Sequence, residues 1–99
     1  MTQCWQRYTG AGVDEMRRAK AAMEEAISAQ LALAYMYVAI AESADDPARR
    51  QRNAVHARRV LSGLRAHLAQ HAEAQAYARE RAAMERLESR LGACANRDE

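Results

Sequence analysis

ESADDPARR, residues 42–50, decides the fold. Asp46 suits a helix N-cap, because its carboxylate can accept from the unpaired N–H groups of a first helical turn. Pro47 suits the first helical position, where a missing N–H costs nothing and the fixed φ is already helical. Short connections of this kind favour antiparallel neighbours. The stretch therefore predicts a long helical hairpin, with one helix ending near Ser43 and the next beginning at Pro47.

Upstream, the helical pattern runs back without interruption to about residue 13. Asp14 and Glu15 fall in its first turn, where the positive end of the helix dipole favours carboxylates. About thirty residues at 1.5 Å each make a rod of roughly 45 Å. Residues 1–12 contain Gly10 and Gly12 and are expected to form a flexible lead-in that Trp5 and Tyr8 could dock onto the body.

Within that first helix, LALAYMYVAI (31–40) is apolar over ten consecutive positions. At 100° per residue, Val13, Met16, Met23, Ile27, Leu31 and Val38 form one stripe with Ala34 and Ala41, interrupted by Lys20. From residue 33 a second stripe begins, made of Leu33, Met36, Tyr37 and Ile40, about 120° round the axis. One helix with two apolar sides needs partners on both. A third helix of the same chain can supply the second partner, and so can a second copy.

Downstream of the turn, only Gly63 weakens the helix before Leu91, by about 1 kcal/mol. The apolar faces nevertheless change direction. Leu61, Leu64 and Leu68 share one face, and Tyr77, Met84, Leu87 and Leu91 share another, turned by about 150°. AQHAEAQA lies between them without a large apolar side chain. Two readings follow: a turn near residues 69–74 with a third helix over about 73–92, or one long helix serving different partners with its two halves. Gly92 then reads as a C-cap, and residues 93–99 as a frayed tail.

Composition supports an all-α chain. Ala, Arg, Glu, Leu, Met and Gln dominate, and these are the strong helix formers. The chain has 99 residues, enough for one domain, spanning residues 13–92 on this reading. The formal net charge is +2, which creates no strong field toward nucleic acid or anionic membrane. Twenty-four residues are Ala, only 13 are Val, Ile or Leu, and Phe is absent. A core so thin points to self-association as a source of further burial. The N-terminus lacks the charged start and apolar segment of a signal peptide, and no apolar run reaches the roughly 18 residues of a spanning helix. A cytoplasmic protein without membrane contact is expected. In a reducing compartment Cys4 and Cys94 are expected as free thiols, able to pair only if the chain ends meet.

Candidate sites are few. His67 and His71, four residues apart on one helix face, are the weak candidate for a metal pair. His56 lies about 16 Å further along the axis and cannot join them. Two ligands do not complete a site, and polar positions at the core edge explain both residues. The segment 47–72 carries six Arg, three His and no acid. Arg49, Arg52 and Arg59 are its candidates for a basic contact, with phosphates as the target. The arginines scatter round the wheel, so a solvated face, partly paired with acids such as Glu24, Glu25 and Glu42, is the preferred reading. Tyr35 and Tyr37 could line a pocket or serve as packing residues with wet tips. The carboxylates Glu24–Glu25, Asp45–Asp46, Glu80, Glu85 and Glu88 sit on polar faces or in the turn. They lack the Glu-x-x-His pairs of di-iron bundles, and no nucleophile–base arrangement accompanies them.

These observations predict a small antiparallel helical bundle without cofactor or catalytic site. The expected function is a non-enzymatic interaction module: a small adaptor, chaperone-like or regulatory protein. It would associate as a homodimer, offering Leu33, Met36, Tyr37 and Ile40 to its own copy or to a helical protein partner. The alternative is a nucleic-acid-associated regulator using the Arg-rich second helix.

Overall fold

The computed structural model of the protein describes residues 2–70 and 76–96, with side chains from residue 12 onward. Three helices are present, and no strand occurs among the described residues: α1 Thr2–Ser43, α2 Pro47–Gln70 and α3 Ala78–Asn96. Tyr37 meets His56 and Gln30 meets His67, so α1 and α2 are antiparallel. Arg65 meets Glu88, and Arg58 lies along the same groove as Leu91 and Gly92, so α3 is antiparallel to α2 and parallel to α1. The result is an up–down–up three-helix bundle.

The hairpin turn forms as its sequence predicts. The Ala48 N–H donates to Asp46 Oδ1 at 3.2 Å, the N-cap bond that satisfies an orphan donor of the first turn. The Arg50 N–H donates to the Asp46 carbonyl at 3.0 Å and starts the helical ladder. At the other side of the turn, Arg50 Nη2 donates to the Ala44 carbonyl at 2.9 Å, capping the end of α1 across the corner.

Of the two readings for residues 47–92, the structure has the break. α2 stops at Gln70, and α3 starts at Ala78, five residues later than the sequence suggests. Tyr77 fixes that start. Its carbonyl accepts the first bond of the new helix from the Arg81 N–H at 2.9 Å, and its side chain is buried in the core. The change in apolar direction noted above is the trace of this break: each helix turns its own leucines inward.

Two helix ends differ from expectation. α1 begins at Thr2, not near residue 13, and takes in the proposed lead-in. Gly10 and Gly12 each cost a helix about 1 kcal/mol, and no proline interrupts the stretch, so the ladder continues through them. The side chains of Trp5 and Tyr8 lie outside the described residues. At the far end Gly92 is not a C-cap. It lies within α3 without a positive φ, and the helix runs on to Asn96. Cys94 explains the continuation. It is 2% exposed, in line with Met84, Leu87 and Leu91, so the last turn has something to bury. Cys94 is a free thiol, and the side chain of Cys4 lies outside the described residues.

The core joins Ile27, Ala34, Val38 and Ala41 of α1 to Ala54, Ala57, Leu61, Leu64 and Leu68 of α2, closed by Tyr77 and the apolar face of α3. Among the described residues no polar or charged side chain is buried. The first α1 stripe is therefore correct from Ile27 onward, with Met23 and Leu31 half-buried against it. Val13 and Met16 depart from it. They are 43% and 72% exposed, because α2 and α3 do not reach that far along α1.

Candidate interaction surfaces

The second α1 stripe divides. Tyr37 turns toward α2 and stacks on His56, with ring centroids 5.1 Å apart and planes at 29°. Leu33, Met36 and Ile40, spaced i, i+3, i+7, remain on the side away from the core. Leu33 and Met36 are 39% and 45% exposed, and Ile40 is half-buried. Among the described residues, none buries Leu33 or Met36. The third helix was one of the two partners the sequence allowed for this face, and α3 goes elsewhere: it lies beside Leu31, Tyr35 and Glu42 on the opposite flank of α1.

That placement also separates the tyrosines. Tyr35 lies under the Arg90 guanidinium, 5.2 Å from ring centre to cation, at the α1–α3 seam. Tyr37 is at the α1–α2 seam. The two hydroxyls therefore share no pocket, and packing with a wet tip is the role the structure gives them.

The basic residues of α2 sort into three groups. Arg50 is folded into the hairpin corner. Arg65 makes a forked bond to Glu88, Nε at 3.3 Å and Nη2 at 2.5 Å, and Arg58 lines the same α2–α3 groove. Arg49, Arg52 and Arg59 are exposed and without an acidic partner among the described residues. With His56 they follow i, i+3, i+7, i+10, which gathers them on one side of α2. The scatter of arginines on the wheel is real: these three lie together, while Arg58, also exposed, lies on another side of α2.

Two forked ion pairs tie α3 to its neighbours. Arg65 pairs with Glu88 of α3, while Glu42 receives a forked bond from Arg90, also of α3. Glu24 and Glu25 are exposed. The hydrogen bond it donates to Glu88, then the charge of that carboxylate, raises the Arg65 guanidinium above its ordinary range. The Glu42 hydrogen bond does the same for Arg90, against a lowering effect of burial. Both groups stay cationic at any ordinary pH. These partly exposed bridges set which helices neighbour one another more than they stabilise the fold.

Of the histidine pair, only His67 is among the described residues. His67 Nδ1 is 2.9 Å from Gln30 Oε1, which occupies one ring nitrogen with a core-edge hydrogen bond. His71 lies outside the described residues. Among the described residues no group of three or more His, Cys, Asp or Glu could hold a metal ion. A groove of 340 Å³ between α2 and α3 is lined by Arg58, Leu61, Leu91 and the Arg65–Glu88 pair, and one of 330 Å³ between α1 and α3 by Leu31, Tyr35, Leu87, Arg86 and Arg90.

By length and composition, the Gly12–Ser43 part of α1 is apolar enough to cross a membrane. The count of uninterrupted apolar residues missed this because alanines and a few polar residues are spread through the stretch. In this fold its stripe from Ile27 through Ala34, Val38 and Ala41 is part of the bundle core, while Val13 and Met16 are exposed. Two of its polar side chains are engaged by other helices: Gln30 by His67 and Glu42 by Arg90.

Compared with known proteins, the chain matches no family model, no curated protein and no solved structure. Function is therefore argued from the surfaces alone.

Proposed function

We propose that the protein is a self-associating, non-enzymatic helical interaction module that holds a helix of a protein partner. One observation supports this reading: α1 presents Leu33 and Met36, which nothing among the described residues buries, on a molecule short of large apolar residues. Leu33, Met36 and Ile40 make a ridge at the spacing a partner helix packs against. The ridge lies beside the Tyr37–His56 stack, a half-wet aromatic border of the kind frequent at protein contacts.

The reading predicts two results. Light scattering on a sizing column, with reductant present and at two concentrations, is expected to give the mass of a dimer; a strict monomer removes self-association. In addition, Leu33→Glu/Met36→Glu is expected to release proteins that the tagged wild-type chain retains from its native lysate. Both positions are substantially exposed, so stability should change by no more than about 0.5 kcal/mol. Equal retention by wild type and variant would count against the ridge.

The cluster of Arg49, Arg52 and Arg59 favours a second reading, contact with nucleic-acid phosphates. It predicts binding that falls steeply with salt, with a slope reduced by roughly 1 for each arginine replaced. Fluorescence anisotropy on labelled duplex DNA and RNA, for wild type and Arg52→Glu/Arg59→Glu, decides it; no binding at low salt ends this reading.

A further inference from the structure

The face that α1 and α2 make on the side away from α3 carries two rows of side chains of different kinds. The stack of Tyr37 on His56 marks its middle and sets the level of the two helices. Gln30, packed beside Gly63, has the same register. Counted from that stack along antiparallel helices, Leu33 comes level with Arg59 and Ile40 with Arg52, each to within about one residue. Both rows are therefore about two helical turns long, or roughly 10.5 Å. Leu33 and Ile40 lie beyond Tyr37 on the side away from α3, and Arg52 and Arg59 lie beyond His56 on that same side. His56 lines one hollow with both arginines. An apolar row and a cationic row thus run side by side, joined by the Tyr37–His56 stack.

This face has no carboxylate of its own along its length. Residues 26–41 of α1 contain no charged side chain, and residues 47–70 of α2 contain no acid. Glu42 takes a forked bond from Arg90 of α3, and Asp45 and Asp46 sit in the turn at one end. On the opposite flank of α2 the chain answers its own arginine. There α3 buries Leu87 and Leu91, and its Glu88 takes a forked bond from Arg65. The α1–α2 face has the same two components, an apolar strip with arginines beside it, and no such helix on it among the described residues.

We propose that this face takes an acidic amphipathic helix of another protein, seated on Leu33, Tyr37 and Ile40 with its carboxylates turned to Arg52 and Arg59. The proposal rests on the reading of the protein as a module that holds a partner helix, and adds the chemistry of that helix. Charge complementarity decides the occupant. A second copy set on the face across a two-fold axis brings the same arginine row and no acid. A nucleic-acid duplex offers phosphates to the arginines but nothing apolar to Leu33. An acidic amphipathic helix satisfies both rows, and about two of its turns cover their length.

The test uses two fluorescein-labelled synthetic peptides of about 18 residues, long enough to be helical. Both carry leucines at i, i+3 and i+7 on one face. One has glutamates beside them and the other glutamines. Fluorescence anisotropy at about 0.15 M salt, where distant charges are screened, compares wild type with Arg59→Glu, Arg58→Glu and Leu33→Glu. All three side chains are exposed, and circular dichroism checks that each variant is folded. The glutamate peptide is expected to bind wild type with a dissociation constant of about 100 μM or tighter, and the glutamine peptide about tenfold more weakly. Arg59→Glu and Leu33→Glu should each weaken the glutamate peptide about fivefold or more. Arg58→Glu, the same charge change on another side of α2, should leave it within about twofold. Equal binding of the two peptides, sensitive to Leu33→Glu alone, overturns the acidic partner and leaves the helix-holding reading intact. Binding of neither peptide also overturns the inference, and lysate retention by wild type against Leu33→Glu/Met36→Glu then judges the wider reading by itself. Binding of duplex DNA or of anionic vesicles in place of the peptide, or a dimer that Leu33→Glu separates, gives the face to a different occupant and overturns it too.

Discussion

Leu64→Ala is expected to lower stability by about 2–5 kcal/mol, the largest loss from any single truncation in this chain. Leu64 is 0% exposed and sits between Leu61 and Leu68 on the α2 face that meets both other helices. Three features make the loss severe. The site is surrounded by packed side chains, so the cavity cannot collapse fully. Few large residues are available to move into it, since the Val, Ile and Leu of the whole chain number 13. A domain of this size also has only about 5–15 kcal/mol of total stability. Urea titration followed by circular dichroism should show a lower midpoint with an unchanged slope, and the melting temperature should fall by roughly 10 °C or more. Leu33→Ala is the control, because its side chain is 39% exposed and its loss should stay below about 1 kcal/mol. Equal losses at the two positions would mean that the core is not centred on α2.

The difference between those two leucines was only half legible in the sequence. Periodicity separates Leu61, Leu64 and Leu68 as a buried face, because three large residues at helical spacing have one common direction. It also separates Leu33 from the Ile27–Val38 stripe. What it cannot give is which stripe receives which helix. That depends on the corner between α2 and α3, where no Gly or Pro marks a turn and the break is fixed by the buried Tyr77 ring. The Asp46–Pro47 turn was legible because capping is local chemistry, settled within four residues. Gly92 misled for the complementary reason. A glycine is permitted at a C-cap but does not compel one, and the burial of Cys94 outweighs its cost. The pairing of Arg65 with Glu88 and of Arg90 with Glu42 is tertiary, spanning 23 and 48 residues, and no local signal carries it.

Ala57→Leu should also destabilise the bundle, by about 1–3 kcal/mol or more, although it adds apolar volume to a core short of it. The reason lies in how so few large side chains close a core at all. Tyr37 beside His56 and Gln30 beside His67 set the antiparallel register of α1 and α2. In that register Ala54 and Ala57 lie level with Ala41 and Val38, and all four are buried. Small residues on both helices let the backbones approach toward the lower end of the usual 8–10 Å separation. Close approach replaces bulk: the backbones and Cβ atoms fill space that leucines fill elsewhere. A leucine at position 57 has to push the helices apart or leave its rotamer minimum, and either response also disturbs Leu61 one turn on. Ala57→Gly should lose about 1 kcal/mol for a different reason, the entropy of an added glycine in a helix. Loss in both directions is the mark of an alanine fitted by its neighbours, and chemical denaturation of the two variants measures it. If Ala57→Leu raises the midpoint, the helices have slack between them. The alanines would then be filler in a loosely packed core, and the argument that α1 and α2 meet by close approach would fail with them.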